Sequence, residues 1–306
     1  MKLSISVPSE FNLKSTIFSH GWCELLPFSN DRDDVSLTRL IDLSSGKIIS
    51  AQIKEQRTKS NNALQVVTSS PLNSTEQKEV KSLVRTSLRL DEHFTEFYAE
   101  ASKHKEFFWV PAFGAGRLLR SQTVFEDVVK MICTTNCSWA LTEIMVENLC
   151  KKLGKKFSDS NSNALQYCFP DPEAIAGTSE KFLRKEIRAG YRAPYLLELS
   201  KRIVKKEIDI EAWRTLQIPT DELFQQVRSV KGVGPYAAGN LLKLLGHYDY
   251  LAIDSWCRKK FFEKHKNGRT TSDKVIEKYY RQFGKWQGLF LWMDLTQYWY
   301  EKEFAF

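Results

Sequence analysis

The residues best suited to chemistry lie close together in the C-terminal half of the chain. Gly232, Val233 and Gly234 form a G-V-G triplet, and Asp254 follows the apolar run "YLAI" about twenty residues later. Glycine permits positive φ and leaves backbone N–H groups uncovered, and a helix that begins there adds the positive end of its dipole. The pattern therefore predicts an anion site suited to a phosphate, followed by an isolated carboxylate.

Both features also have an ordinary structural interpretation. The segment "VKGVGP" joins two predicted helices, "DELFQQVRS" and "YAAGNLLKLLG", and its glycines could serve a tight helical turn alone. Asp254 could cap the helix that begins in "SWCRKK", with its carboxylate accepting the N–H of Trp256 or Cys257. A capping carboxylate is held rigidly, so the cap is compatible with a role in stabilising a developing positive charge.

The composition is that of a globular protein with a basic surface. Hydrophobic residues make up 42% and charged residues 27% of the 306 residues, which excludes wholly disordered, collagen-like and coiled-coil chains. Lys and Arg number 45 against 37 Asp and Glu, so the formal charge is 45 − 37 = +8. A positive balance favours a nucleic-acid partner, although charge alone is a weak indication.

The sequence predicts an intracellular protein without a metal centre. The N-terminal stretch has no uninterrupted apolar segment, and no apolar run reaches the ~18 residues of a membrane span. The cysteines lack the paired spacing of zinc or iron–sulfur sites and are expected to be reduced, mostly buried thiols. They are Cys23, Cys133, Cys137, Cys150, Cys168 and Cys257.

The pattern along the chain predicts an α+β fold. The runs in "LTRLIDLSSGKIISAQI" and "LQVVT" predict an antiparallel sheet, and Ser74 with Gln77 matches a capping box that opens a helix. Helical periodicity continues from there, and no strand is predicted after residue 100. We therefore expect a β-rich N-terminal domain over residues 1–95 and a larger helical domain over residues 96–306.

These residues carry a resemblance to a known family. "VKGVGPYAAGNLL" with "LAIDSW" resembles the hairpin and catalytic aspartate of the helix-hairpin-helix (HhH-GPD) DNA glycosylase superfamily. Segments that begin "RLLRSQTVFEDVVK" and "FPDPEAIAGTSEKF" resemble, in order, the two helical segments before the hairpin in the 8-oxoguanine and alkyladenine glycosylase II branches. The β-rich start is similar to their N-terminal sheet domain, so the resemblance spans most of the chain.

The resemblance implies a monofunctional DNA glycosylase of base excision repair. Asp254 would stabilise the oxocarbenium-like sugar and orient a water. The bifunctional members carry a nucleophilic lysine at the position that Tyr236 occupies here, and a phenol cannot form a Schiff base, so strand cleavage by that route is expected to be absent. The alternatives are a non-catalytic DNA-binding protein that recognises DNA structure, and a glycosylase for oxidised guanine.

The resemblance also assigns DNA-contacting residues. The hairpin would hold a backbone phosphate, while a loop asparagine and a Tyr-Arg pair would contact the estranged base and wedge the gap left by the flipped base. The expected DNA contacts are Lys231, Gly232, Val233, Gly234, Asn136, Tyr191 and Arg192.

The base pocket is predicted from the aromatic residues. Tyr236, Trp286 and Trp292 are the candidates, although aromatic residues at helical spacing more often pack a core. A glutamine that reads guanine in the 8-oxoguanine branch is missing near Leu291, which disfavours that substrate. The expected partner is double-stranded DNA with a damaged base, bound by a monomer with no metal or cofactor beyond a monovalent cation at the hairpin.

Overall fold

The computed structural model of the protein describes residues 1–57, 62–158 and 165–303. Contacts divide the chain into two compact units. Unit 1 comprises Met1–Glu92 and Leu118–Glu211, and unit 2 comprises His93–Arg117 and Ala212–Phe306. The sequence predicts one boundary, between residues 95 and 96, with the sheet before it and a separate helical domain after it. The contacts instead place Leu118–Glu211 in the same unit as the sheet.

Unit 1 contains the predicted antiparallel sheet. Its strands are β1 (Lys2–Ser6), β2 (Phe28–Asp31), β3 (Ser36–Asp42), β4 (Ile48–Arg57) and β5 (Asn62–Thr68), in the order β1-β5-β4-β3-β2. Ile41 lies opposite Ile49 across β3 and β4, and both are buried. Gly46, with φ +80°, makes the turn between these strands, so the predicted hairpin is confirmed.

The remaining elements of unit 1 are helices and one small hairpin. The helices are α1 (Leu13–Ile17), α2 (Ser74–Leu88), α5 (Val124–Thr134), α6 (Trp139–Leu153), α7 (Pro172–Ala176), α8 (Glu180–Lys185) and α9 (Ala193–Val204). The hairpin pairs β6 (Lys156–Ser158) with β7 (Leu165–Tyr167). The prediction that no strand follows residue 100 is therefore wrong, since two strands of only three residues carry no periodic signal.

The predicted capping box of α2 is displaced by one residue. The side-chain oxygen of Asn73 accepts the N–H groups of Thr75 and Glu76, both at 2.9 Å. The Glu76 carboxylate in return accepts the Asn73 N–H at 3.0 Å. The box is thus formed by Asn73 and Glu76 rather than by Ser74 and Gln77, because Asn is at least as good a cap as Ser and lies one residue earlier.

A buried ion pair ties α5 to the sheet. The guanidinium of Arg39, on β3, donates to both carboxylate oxygens of Glu126 at 3.1 and 2.5 Å, and Lys130 Nζ lies 2.7 Å from the same carboxylate. The Phe28 ring lies against both cations, 4.5 Å from the Arg39 guanidinium carbon and 4.9 Å from Lys130 Nζ. These contacts explain why residues 118–211 belong to the same unit as the sheet.

Unit 2 is helical around an aromatic core. Its helices are α3 (Thr95–Ala101), α4 (Trp109–Ala112), α10 (Thr220–Arg228), α11 (Pro235–Leu245), α12 (Ser255–His265), α13 (Asp273–Tyr280) and α14 (Gln287–Tyr298). The buried Asp294 of α14 joins three of them: it pairs with Lys264 at 2.8 Å and His265 at 2.6 Å from α12, and accepts the Tyr280 hydroxyl from α13. This carboxylate fixes α12, the helix that Asp254 precedes.

Candidate nucleic-acid and catalytic site

The turn between α10 and α11 is anchored by two buried valines. Val230 and Val233 are both buried, and the N–H of Val233 donates to the Val230 carbonyl at 3.1 Å. Gly232 has φ +89°, a conformation that L side chains rarely adopt. Gly234 has φ −77° and ψ 178°, which any residue accepts. Only Gly232 therefore uses the conformational freedom that both glycines offer.

The space around Gly234 is open. A Cβ built there would meet none of the described atoms within 4 Å, and no described side chain caps the start of α11. Pro235 has no N–H, and the next N–H groups of the first turn lie too early in the helix to have a carbonyl partner within it. The exposed Lys231 adds a positive charge to the same turn. The arrangement can accept an anion that approaches the backbone closely.

Asp254 caps α12, as its position in the sequence predicts. Its Oδ1 accepts the backbone N–H of Cys257 at 2.7 Å, and its carbonyl accepts the N–H of Arg258 at 2.9 Å. The residue is half-buried. A carboxylate held in this way keeps one orientation and has remaining lone pairs for a second partner.

The loop that leads to Asp254 is clamped by two glycines. A Cβ at Gly239, on α11, would lie 2.7 Å from the Tyr250 ring and 2.8 Å from the Ala252 Cβ. A Cβ at Gly288, on α14, would lie 2.1 Å from the Tyr250 carbonyl oxygen. The N–H of Gly288 also donates to the Tyr248 carbonyl at 2.7 Å. The loop is thus fixed from both sides before it reaches the carboxylate.

Tyr236 lies close to the carboxylate. It is in the first turn of α11 and 37% exposed. Burial of its hydroxyl and the charge of Asp254 raise the pKa of Tyr236 above its ordinary value, so the phenol is neutral at physiological pH. The hairpin, Tyr236 and Asp254 all belong to unit 2, and Asp254 acts electrostatically on Tyr236; their roles stay predictions.

Unit 1 holds the residues expected to fill the gap in the duplex. The Tyr191 hydroxyl donates to the Thr135 carbonyl at 3.1 Å, and the Asn136 amide lies 3.4 Å from the same hydroxyl. Tyr191 is 44% exposed, whereas Arg192 is 3% exposed and its guanidinium donates to the Thr135 carbonyl. The structure brings the three predicted residues together, with Arg192 supporting the turn from within.

The two predicted pocket tryptophans pack against the same core of unit 2 but have different ring neighbours. Trp286 stacks on Tyr248, with ring centroids 5.3 Å apart, and lies 5.3 Å from Phe97 in the core. Trp292 lies 5.9 Å from Trp256, two residues after Asp254, and its ring is half-buried. Both tryptophans therefore take part in core packing, and Trp292 also lies beside the first turn of α12.

One residue of this neighbourhood is absent from the sequence predictions. Lys243, on α11, is buried, and its Nζ lies 4.8 Å from the centre of the Trp292 ring. The signal was available, since Lys243 interrupts an apolar helical run, "LLKLL". A lysine flanked by leucines on both sides either reaches out along the surface or is enclosed for a reason.

Neither a metal-binding cluster nor a membrane-spanning helix is present in the part of the chain that the structure describes. In residues 1–57, 62–158 and 165–303, no group of three or more His, Cys, Asp or Glu side chains is arranged to hold a metal ion. Within the same ranges no helix has the length and apolar character needed to cross a bilayer.

Known proteins share this architecture. The 3-methyladenine DNA glycosylase from Archaeoglobus fulgidus superposes with a TM-score of 0.76 over 97% of this chain and 98% of that chain, at 20% identity. The Clostridium acetobutylicum 8-oxoguanine glycosylase/lyase, bound to double-stranded DNA with cytosine opposite 8-oxoguanine, gives a TM-score of 0.72 over 99% and 98%, at 21% identity. Both likenesses show the fold.

Two sequence matches complete the comparison. An N-glycosylase/DNA lyase of Saccharomyces cerevisiae is 26% identical over 156 residues, which covers 46% of this chain and 41% of the yeast protein. The matched region is thus less than half of that relative's length. Residues 129–287 match the family described as HhH-GPD superfamily base excision DNA repair protein.

The family match covers more than half of the chain and includes the hairpin and Asp254. The chain therefore belongs to the HhH-GPD superfamily of base excision DNA repair proteins. The resemblance on which the sequence analysis relied is confirmed.

Proposed function

We propose that the protein hydrolyses the N-glycosidic bond of a damaged base in double-stranded DNA and leaves the strand intact. The observation that carries the proposal is the position of Asp254: its carboxylate is held by the Cys257 N–H at 2.7 Å, in the same unit as the open hairpin backbone at Gly234. A rigid carboxylate near a phosphate-binding turn suits catalysis on a sugar, whereas a protein that only binds DNA has no use for a negative charge there.

The chemistry is a hydrolysis with an oxocarbenium-like transition state. The bond between C1′ and the base nitrogen breaks, and its electron pair leaves with the base. Asp254 stabilises the positive charge that develops on the sugar and accepts a proton from the water that attacks C1′. One water is consumed, and the products are the free base and an abasic site. Tyr236 supplies no amine, so no Schiff base precedes strand cleavage.

DNA is bound through its backbone, and the target base is turned out of the stack. The hairpin N–H groups and Lys231 hold a phosphate without reading sequence. The exposed Tyr191, with Asn136, contacts the opened base pair, and Arg192 keeps their turn in place. We expect a monomer, located wherever the cell keeps its DNA, with no organic cofactor; a monovalent cation at the hairpin stays a prediction.

A base-release assay tests the proposal. Duplexes that each carry one damaged base are incubated with the protein, and nicking is compared with and without added alkali. Release from at least one lesion, with nicks that appear only after alkali, is the expected result. Salt-sensitive DNA binding without release from any lesion would instead support the non-catalytic alternative.

A further inference from the structure

Lys243 is a buried cation that the proposed mechanism does not use. It is 2% exposed and lies on α11, seven residues beyond Tyr236. Residues seven apart fall on nearly the same face of a helix, and side chains on a helix lean toward its N-terminus. Lys243 therefore extends from the face that carries Tyr236, toward the end of α11 where the hairpin lies.

Two helices pack against this ammonium. From α14 the Trp292 ring offers its face, with its centre 4.8 Å from Lys243 Nζ. From α12 the ionisable groups that act on Lys243 are Cys257 and Asp254. Burial, with the charge of Asp254, raises the pKa of the Cys257 thiol to about 12, so Cys257 is neutral and Asp254 provides the negative charge. Lys243 thus contacts the half-buried Trp292 ring and is close enough to Asp254 to feel its charge.

The charge of a damaged base determines whether it must be protonated as it leaves the sugar. A neutral base leaves with an additional electron pair, so it departs as an anion unless a proton or a positive charge meets it. A base that alkylation has made cationic leaves as a neutral molecule and needs no such help. It would also compete with Lys243 for the face of Trp292 and be repelled by it, since like charges interact strongly in a desolvated site.

We propose that Lys243 is the catalytic residue that donates a proton to the departing base, and that the site therefore selects neutral damaged bases over cationic alkylated ones. The proposal rests on the proposed function and assigns its substrate class. As the C1′–N bond breaks, the electron pair passes to the base, the ammonium gives the base a proton, and the neutral amine regains a proton from solvent. Asp254 remains on the sugar side of the bond.

The proposal sets the direction of the pH dependence. Burial lowers the pKa of Lys243 to about 8, although the negative charge of Asp254 opposes that shift. The ammonium acts in its protonated form, so release of a neutral base is fastest below pH ~8 and falls as the pH rises through that value. A cationic base needs no proton and should show no such decline.

The test compares two lesions in otherwise identical duplexes. Single-turnover release is measured between pH 6 and 10 for hypoxanthine, a neutral base, and for 7-methylguanine, a cationic one, each relative to its uncatalysed loss. The acceleration that wild-type protein gives is expected to be at least about 10-fold larger for hypoxanthine than for 7-methylguanine. In Lys243→Met this acceleration falls about 100-fold, the magnitude of one general acid, and the decline near pH 8 disappears. Release of 7-methylguanine is unchanged or faster.

Lys243→Arg provides the second variant. It keeps the positive charge but cannot give up a proton at any pH tested, so release of hypoxanthine should fall almost as far as in the Met variant and should lose its decline near pH 8. A Met variant with an unchanged decline near pH 8 would overturn the proposal, as would a wild-type preference for 7-methylguanine. An Arg variant that releases hypoxanthine at the wild-type rate would also overturn it, since positive charge without a transferable proton would then suffice. So would a borohydride-trapped adduct that the Met variant loses, since it would make Lys243 a nucleophile. If neither lesion nor any other is released, the proposed function itself fails.

Discussion

The Asp254 carboxylate accepts the backbone N–H of Cys257 at 2.7 Å, so the side chain that caps α12 is also the one to which we assign the negative charge of the proposed site. The two roles can be separated, because asparagine caps a helix about as well as aspartate but carries no charge. Stability and catalysis should therefore respond differently to the same substitution.

Asp254→Asn is expected to lower single-turnover base release by about 10²- to 10³-fold, since it removes the charge that stabilises the sugar cation. The free energy of unfolding should change by less than about 0.5 kcal/mol because the cap remains. Asp171→Asn is the matched control: Asp171 caps α7 through the Ala174 N–H at 2.8 Å and has no part in the site. Equal rates for the Asp254 variant and wild type would refute the mechanism.

Substitutions of the two hairpin glycines should affect different properties, stability at Gly232 and DNA affinity at Gly234. Gly232→Ala forces a side chain into φ +89° and should lower the free energy of unfolding by about 1–2 kcal/mol. Gly234→Ala fits the backbone and should leave stability unchanged or slightly higher. It should still weaken DNA binding about 10-fold in anisotropy titrations at fixed salt, because a Cβ keeps a phosphate from the N–H groups. Unaltered affinity would exclude the hairpin as the phosphate site.

Tyr236 has no amine, so we expect no strand cleavage through a Schiff base at this position. Tyr236→Lys places an amine close to Asp254, so borohydride should crosslink this variant to DNA that contains an abasic site. Tyr236→Phe, the control, should release base without crosslinking. A crosslink formed by wild-type protein would show that another amine attacks the sugar and that the protein is not monofunctional.

Substitutions of Tyr191 and Arg192 should have different effects, because the Tyr191 side chain is exposed and the Arg192 side chain is buried. Tyr191→Ala removes a 44% exposed side chain, so base release should fall about 10-fold while the melting temperature stays the same. Arg192→Ala removes a buried guanidinium that supports the Thr135 carbonyl, and should lower the free energy of unfolding by about 2 kcal/mol or more. Thermal melts and single-turnover rates distinguish the two effects, and a destabilised Tyr191 variant would contradict this assignment.

Because the Glu126 carboxylate is buried in an ion pair, we expect unit 1 to lose stability at low pH. Burial alone would raise its pKa, but the charges of Arg39 and Lys130 outweigh that effect and hold the pKa at about 2, below the ordinary 4.5. A lowered pKa gives stability that is fully present above pH 4.5 and is lost as the pH falls toward 2.

The test of that ion pair is Glu126→Gln. The change leaves two cations without a counter-charge and should cost about 3–5 kcal/mol at pH 7 in urea titrations. Glu186→Gln, which breaks an exposed pair with Lys152 at 2.7 Å, should cost less than about 1 kcal/mol. Equal costs for the two variants would show that the buried pair contributes no more than an exposed one.

Local signals predicted much of this molecule, and tertiary contacts account for the rest. The β3–β4 turn and the hairpin were predictable because glycine marks the backbone there. The shift of the α2 cap from Ser74 to Asn73 reflects two adjacent residues with similar capping ability. The division of the chain was not predictable, since the Arg39–Glu126 pair joins residues far apart in sequence. Lys243 was missed because a lysine is expected at the surface unless its surroundings are known.

The two glycines that clamp the loop before Asp254 bear on any attempt at protein engineering. Gly239 and Gly288 come from helices on either side of the loop, and neither position accepts a methyl group without displacing Tyr250. Transplanting the proposed catalytic carboxylate onto another helical hairpin would therefore require three segments, α11, the loop and the start of α14. A graft limited to the G-V-G turn and the aspartate would transfer the negative charge without the packed loop that fixes its position.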